Sequence, residues 1–146
     1  MTEKSMQTLR KRLSTRADFT AFAAGFSRRL RPGDVVALTG ALGSGKTTFI
    51  DAVVRSLHAR GEASSPTFTF WHRYAGEPPI DHLDFFRIRD PRELAELGLE
   101  EAFDGRSIVL VEWWRNAAAI LPAHRYEIEI IGCGEEPRIV TLRQAR

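Results

Sequence analysis

The 146-residue chain has one cysteine, Cys133, and one asparagine, Asn116. A lone cysteine excludes an internal disulfide and a cysteine-based zinc cage, fits a reducing compartment, and predicts a buried spectator thiol. Long hydrophobic runs are missing too. The longest aliphatic stretches, Val35 to Leu38 and Ile108 to Val111, fall far short of the ~20 apolar residues that span a bilayer. The basic residues near the N-terminus are followed by no apolar core, so there is no secretory signal pattern, and the expectation is a cytoplasmic protein without membrane contact. The guanine-reading motif NKxD is also absent, because Asn116 is followed by alanine, and this argues against a GTPase.

What is present is ordinary for a globular chain: 43% hydrophobic and 27% charged residues. One domain over residues 1–146 is expected, and a chain of ~150 residues buries about two-thirds of its unfolded surface without disulfides or structural metal. The net charge of +2 is unevenly spread, with eight Lys and Arg against Glu3 and Asp18 in residues 1–31. This basic segment suits either an anionic partner such as RNA or a solvated helix end, where Arg28, Arg29 and Arg31 complement the helix dipole.

Along the chain, residues 7–14 read as an edge strand. Thr15 and Asp18 cap a helix whose apolar face is Phe19, Phe22, Ala23, Phe26 and Leu30. Val35 to Leu38 then form a strand buried on both faces. A second helix runs from Lys46 to about Ala59, with Gly61 as its cap. Residues 67–74 and Ile80 to Phe86 form a hairpin around Gly76 to Pro79. Asp90, Pro91 and Glu93 start a short helix that Gly98 ends. Ile108 to Val111 make the second fully buried strand, and residues 125–131 and 137–143 close as a hairpin.

Gly40, Ala41, Leu42, Gly43, Ser44, Gly45, Lys46 and Thr47 match GxxxxGK(S/T) between a buried strand and an amphipathic helix, the context this phosphate-binding loop requires. Glycines let successive backbone N–H groups face a phosphate, and the helix N-terminus adds its positive end. Lys46 then meets the β- and γ-phosphates of ATP, and Thr47 offers its hydroxyl to Mg2+. Thr48 completes the cradle.

Glu112, after four aliphatics, emerges at the C-terminal end of a strand, where ligands of open α/β sheets collect. It is read as a Walker B acid that holds magnesium or orients water, with a solvated strand-end glutamate as the alternative. Asp84 shares one side of its strand with His82 and Phe86. Its alternatives are a magnesium or water-activating role and an ion pair with Arg87. His82 reads as a hydrogen-bonded structural histidine, and core packing accounts for one of Trp113 and Trp114. Ser64 to Phe68 suit a switch loop or a plain turn.

Taken together, GALGSGKTTF, SPTFTF, HLDFFR with DPRELAELGLEE, and VEW resemble the TsaE (YjeE) family of small bacterial P-loop ATPases over nearly the whole chain. The resemblance implies a part in making threonylcarbamoyladenosine beside the anticodon of ANN-decoding tRNAs. In that family the ATPase docks on a TsaB–TsaD pair, TsaD being the transferase, and nucleotide turnover resets the complex. It also implies the phosphate and magnesium roles for Lys46 and Thr47, the Walker B role for Glu112, and a second essential acid at Asp84. Thr67 falls in the switch-like loop, and Trp113 flanks the nucleotide or the partner. Three positions depart from the family pattern: Ala41 replaces an acid, Phe86 a tyrosine and Trp114 a proline. None removes a phosphate or magnesium group.

The expected fold is an α/β P-loop NTPase three-layer sandwich, with a mainly parallel central sheet and antiparallel edge strands. The expected activity is Mg-dependent ATP hydrolysis, slow alone, with tRNA reached through the TsaB–TsaD complex. A small-molecule P-loop kinase is the rival, with Asp84 taking a proton from a substrate hydroxyl, although little chain remains for a lid. A nucleotide-gated binding module is a third reading, and direct RNA recognition a fourth.

Overall fold

A computed structural model describes residues 7–60, 70–96 and 98–145. The chain runs β1 (Gln7–Leu13), α1 (Arg16–Ser27), β2 (Val35–Thr39), α2 (Lys46–Ser56), β3 (Trp71–Tyr74), β4 (Ile80–Asp84), α3 (Arg92–Glu96), β5 (Ile108–Glu112), β6 (Arg125–Ile131) and β7 (Arg138–Ala145). Two 3-10 segments, Leu99–Phe103 and Trp114–Ile120, flank β5. The strands form one sheet in the order β1-β7-β6-β2-β5-β4-β3. Its central strands β6, β2, β5 and β4 are parallel. The outer pairings, β1 with β7, β7 with β6 and β3 with β4, are antiparallel.

The two aliphatic runs are continuous because both of their faces are covered. Val36, Leu38, Ile108 and Leu110 point into a core shared with α1 and α2. Val35, Ala37, Val109 and Val111 point into a second core, shared with Leu94, Leu99, Ala117 and Leu121. Helices thus lie on both faces, and the architecture is the expected three-layer α/β sandwich. Phe49 of α2 is fully buried, and the rings of Phe19, Phe22 and Phe26 surround it at centroid distances of 6.0, 6.5 and 5.9 Å. This aromatic cluster seats α1 on α2 behind the glycine-rich loop. The α1 cap forms as expected, with Thr15 Oγ1 accepting the Asp18 N–H at 3.0 Å.

Several expectations need correction. Helix α2 stops at Ser56, and His58 takes the left-handed conformation (φ 56°). The cause is a tertiary contact: Arg60 and Ala75 exchange backbone hydrogen bonds at 2.8 and 2.7 Å, which draws the chain toward β3. Gly61 and the first residues expected in the hairpin, 67–69, lie outside the described residues. Strand β4 ends at Asp84 rather than Phe86, because the Asp84 carboxylate accepts the Phe86 N–H at 3.0 Å and turns the chain. Cys133 is exposed, not buried, since it stands in the turn between β6 and β7. Among the described residues no helix is long and apolar enough to cross a membrane.

Candidate nucleotide site

The loop Gly40–Gly45 joins the C-terminal end of β2 to the first residue of α2. Close packing requires its first glycine: a Cβ at Gly40 would lie 2.4 Å from Ser44 Oγ and 2.9 Å from the Ile130 carbonyl oxygen. Gly45 is the N-cap residue, at φ 109°, a conformation that other residues adopt only with strain. No side chain caps α2, so the amides of its first turn face the adjoining space with the positive end of the helix dipole behind them.

Lys46 is 6% exposed. Its Nζ donates to the Gly40 carbonyl and lies 4.0 Å from the centre of the Trp113 ring. Burial lowers the lysine pKa from its ordinary value, opposed by the negative charges of Glu112 and Asp84. A desolvated ammonium near two carboxylates, hydrogen-bonded to neither, is an arrangement that a phosphate group would complete.

The two acids meet because parallel pairing aligns β4 with β5, placing Asp84 opposite Glu112. On its other side Glu112 is in register with Leu38 of β2, next to the loop. Glu112 Oε2 is 2.7 Å from His82 Nε2, so the histidine expected to be structural is the direct partner of the Walker B candidate. Asp84 and Arg87 form no ion pair, and the Asp84 carboxylate instead holds the turn at Phe86. Trp113 has φ 55° and ψ 36°, a left-handed conformation that costs a non-glycine residue about 1–2 kcal/mol. That geometry carries the indole over Lys46, where the Phe86 ring supports it at 5.0 Å. Trp114 is packed inside, 6% exposed, and its Nε1 donates to Thr39 Oγ1 at 3.0 Å. Trp114 therefore belongs to the interior and not to an outer face.

A cleft of about 620 Å³ brings together Leu42, Gly43, Ser44, Gly45, Lys46, Thr47, Thr48, Asp84, Glu112 and Trp113. Gly40 lies instead on an adjoining cavity of about 540 Å³, which Lys46 and Trp113 also border. Thr67 lies outside the described residues. Sequence reasoning missed the far wall of the cleft, made by Thr15, Arg16 and Phe19 after β1, by Glu135 and Glu136 between β6 and β7, and by Arg138 at the start of β7. The cap at Thr15 and the apolar face at Phe19 were visible in the sequence, but their place against the loop was not, because it depends on contacts between distant parts of the chain.

The donor set suits magnesium: the Thr47 hydroxyl and the Asp84 and Glu112 carboxylates line the same cleft, all hard oxygen ligands. Among the described residues no group of three or more His, Cys, Asp and Glu forms a metal cage by itself.

The family model described as threonylcarbamoyl adenosine biosynthesis protein TsaE matches residues 13–140. The chain belongs to the TsaE family. It is 40% identical over 112 residues to the tRNA threonylcarbamoyladenosine biosynthesis protein TsaE of Bacillus subtilis, covering 76% of this chain and 70% of that one. It is 37% identical over 134 residues to TsaE of Rickettsia prowazekii, covering 90% and 92%. The crystal structure of Bacillus subtilis YdiB superposes with a TM-score of 0.80 at 30% identity, covering 99% of this chain and 90% of that one. These relatives bear out the resemblance drawn from the motifs. The family is named for threonylcarbamoyladenosine biosynthesis.

Proposed function

We propose that this TsaE chain binds Mg-ATP in the larger cleft, hydrolyses it, and thereby supports tRNA threonylcarbamoyladenosine modification by acting on a TsaB–TsaD complex. The observation that carries the reading is the convergence of Lys46, Thr47, Asp84 and Glu112 on one cleft from three neighbouring strand ends. The loop amides and Lys46 hold the phosphates, while Thr47 and one carboxylate hold magnesium. A magnesium ion held by Thr47 and that carboxylate would supply positive charge to offset the negative charge that grows on the phosphates. The second carboxylate orients a water molecule and accepts its proton as the water oxygen bonds to the γ-phosphorus and the bond to ADP breaks.

Turnover by the chain alone is slow in this reading. Lys46 must leave the Gly40 carbonyl and the Trp113 ring before it can engage phosphate, and the partner pair favours the engaged state. tRNA is reached through that pair. The test is steady-state ATP hydrolysis with magnesium, by the chain alone and with purified TsaB–TsaD, using Lys46→Ala as the blank. Stimulation by the pair that Lys46→Ala abolishes is the expected outcome. No stimulation, with phosphate transferred to an added small metabolite, would replace the reading with that of a kinase.

A further inference from the structure

Besides Lys46, a second cationic side chain of the cleft donates to backbone carbonyls rather than to a carboxylate. Arg138, the first residue of β7, reaches 94 residues back along the chain to the glycine-rich loop, where its Nε donates to the Ser44 carbonyl at 2.7 Å. Its Nη2 lies 3.5 Å from the Gly43 carbonyl oxygen and donates to the Gly134 carbonyl at 3.1 Å, and its Nη1 donates to the Glu136 carbonyl. A single guanidinium therefore joins the β6–β7 turn to the apex of the phosphate loop. The same wall meets the loop a second time, where Gly40 packs against the Ile130 carbonyl of β6.

The consequence follows from peptide geometry. In a trans peptide the C=O and the next N–H point in opposite directions. Holding the Ser44 oxygen on the β7 side thus directs the Gly45 N–H away from Arg138. Ser44 N–H is already used inside the loop, donating to the Ala41 carbonyl at 3.0 Å, so of these two neighbouring amides it is the Gly45 N–H that is left to meet an anion. Arginine suits this task because its planar fork reaches several carbonyls at once, which a lysine ammonium on a flexible stem does not do.

We infer that Arg138 is a positioning residue that sets the phosphate loop in its anion-binding conformation before ligand arrives. This rests on the nucleotide reading above and adds a determinant that lies outside the loop and outside both acidic strand ends. The inference separates from two simpler roles for the same side chain. A contact to the base or ribose would affect ATP but not a bare polyphosphate. A general attraction of the positive charge for phosphate would survive replacement by lysine.

The experiment measures Kd for Mg-ATP and for magnesium tripolyphosphate, together with kcat at saturating ATP, in the full chain and in Arg138→Lys and Arg138→Met. The expected result is that both variants weaken both ligands about tenfold, the size associated with lost charge-assisted hydrogen bonds. In each, kcat should stay within about twofold, because the loop reforms once ligand is bound. Wild-type affinity in Arg138→Lys would overturn the inference, as would weakening confined to ATP or a loss of kcat as large as the loss of affinity. Failure of the unmodified chain to bind Mg-ATP would instead remove the nucleotide reading itself, a result these variants are not needed to see.

Discussion

Asp81 and Asp84 stand three residues apart on β4, facing opposite sides of the sheet, and their surroundings differ in kind. Asp81 is fully buried. It accepts from Trp71 Nε1 at 2.9 Å and from Arg73 Nε and Nη2 at 2.8 and 3.0 Å. Burial alone would raise its pKa, yet the hydrogen bonds from Arg73 and Trp71 hold it below the usual carboxylate value. Asp84 lies with Glu112 and Lys46, where the ammonium donates to a backbone carbonyl and to neither acid. A charge whose partners are all supplied by the fold serves the fold. A cluster whose charges face a cleft with capacity left over is arranged for a ligand.

The largest effect should come from the ligand side. Glu112→Gln is expected to lower ATP turnover by about 10²-fold or more while Mg-ATP still binds, since the amide keeps the shape but cannot accept a proton or pair with magnesium equally well. Binding titrations beside steady-state rates check this. Turnover within a few-fold of the unmodified chain would place Glu112 with the structural charges. The next effect belongs to the other face: Asp81→Ala should destabilise the fold by about 2 kcal/mol, because it strands the part-buried Trp71 donor and removes the hydrogen bonds to the half-exposed Arg73 guanidinium. Urea denaturation measures it, and ATP affinity should be unchanged. A loss of affinity without a loss of stability would erase the contrast between the two aspartates.

The smallest effect is a pH dependence. The folded-state pKa of Asp81 is depressed, so its contribution is complete above the unfolded-state pKa and is lost as pH falls through the folded one. The stability gap between the unmodified chain and Asp81→Asn should therefore be constant near neutrality and narrow below about pH 4. Denaturation midpoints across that range read it directly, and a gap that widens in acid would reverse the assignment.

How much of this was legible before the structure depended on the range of the interactions. The α1 cap and the glycine-rich loop are written within a few consecutive residues, and both appear as expected. Strands β2 and β5 were legible because burial on both faces leaves an unbroken aliphatic run. The end of α2 was not, since the Arg60–Ala75 bridge that stops it joins distant segments. Cys133 was misread as buried because hydropathy says nothing of its place at a turn. The His82–Glu112 contact was invisible for a similar reason: it spans two strands that are neighbours only in the folded sheet.

The amino-acid sequence by itself determined the layered α/β plan, the phosphate loop, and the two acids at strand ends, because each is encoded by local spacing and by the hydropathy of a short segment. Only the tertiary structure decided which carboxylate pairs with which partner. Only it stationed Arg138 behind the loop and closed the cleft with the β1–α1 and β6–β7 connections. Those contacts are set by the strand order, which arises from the packing of the whole sheet and leaves no periodic trace along the chain.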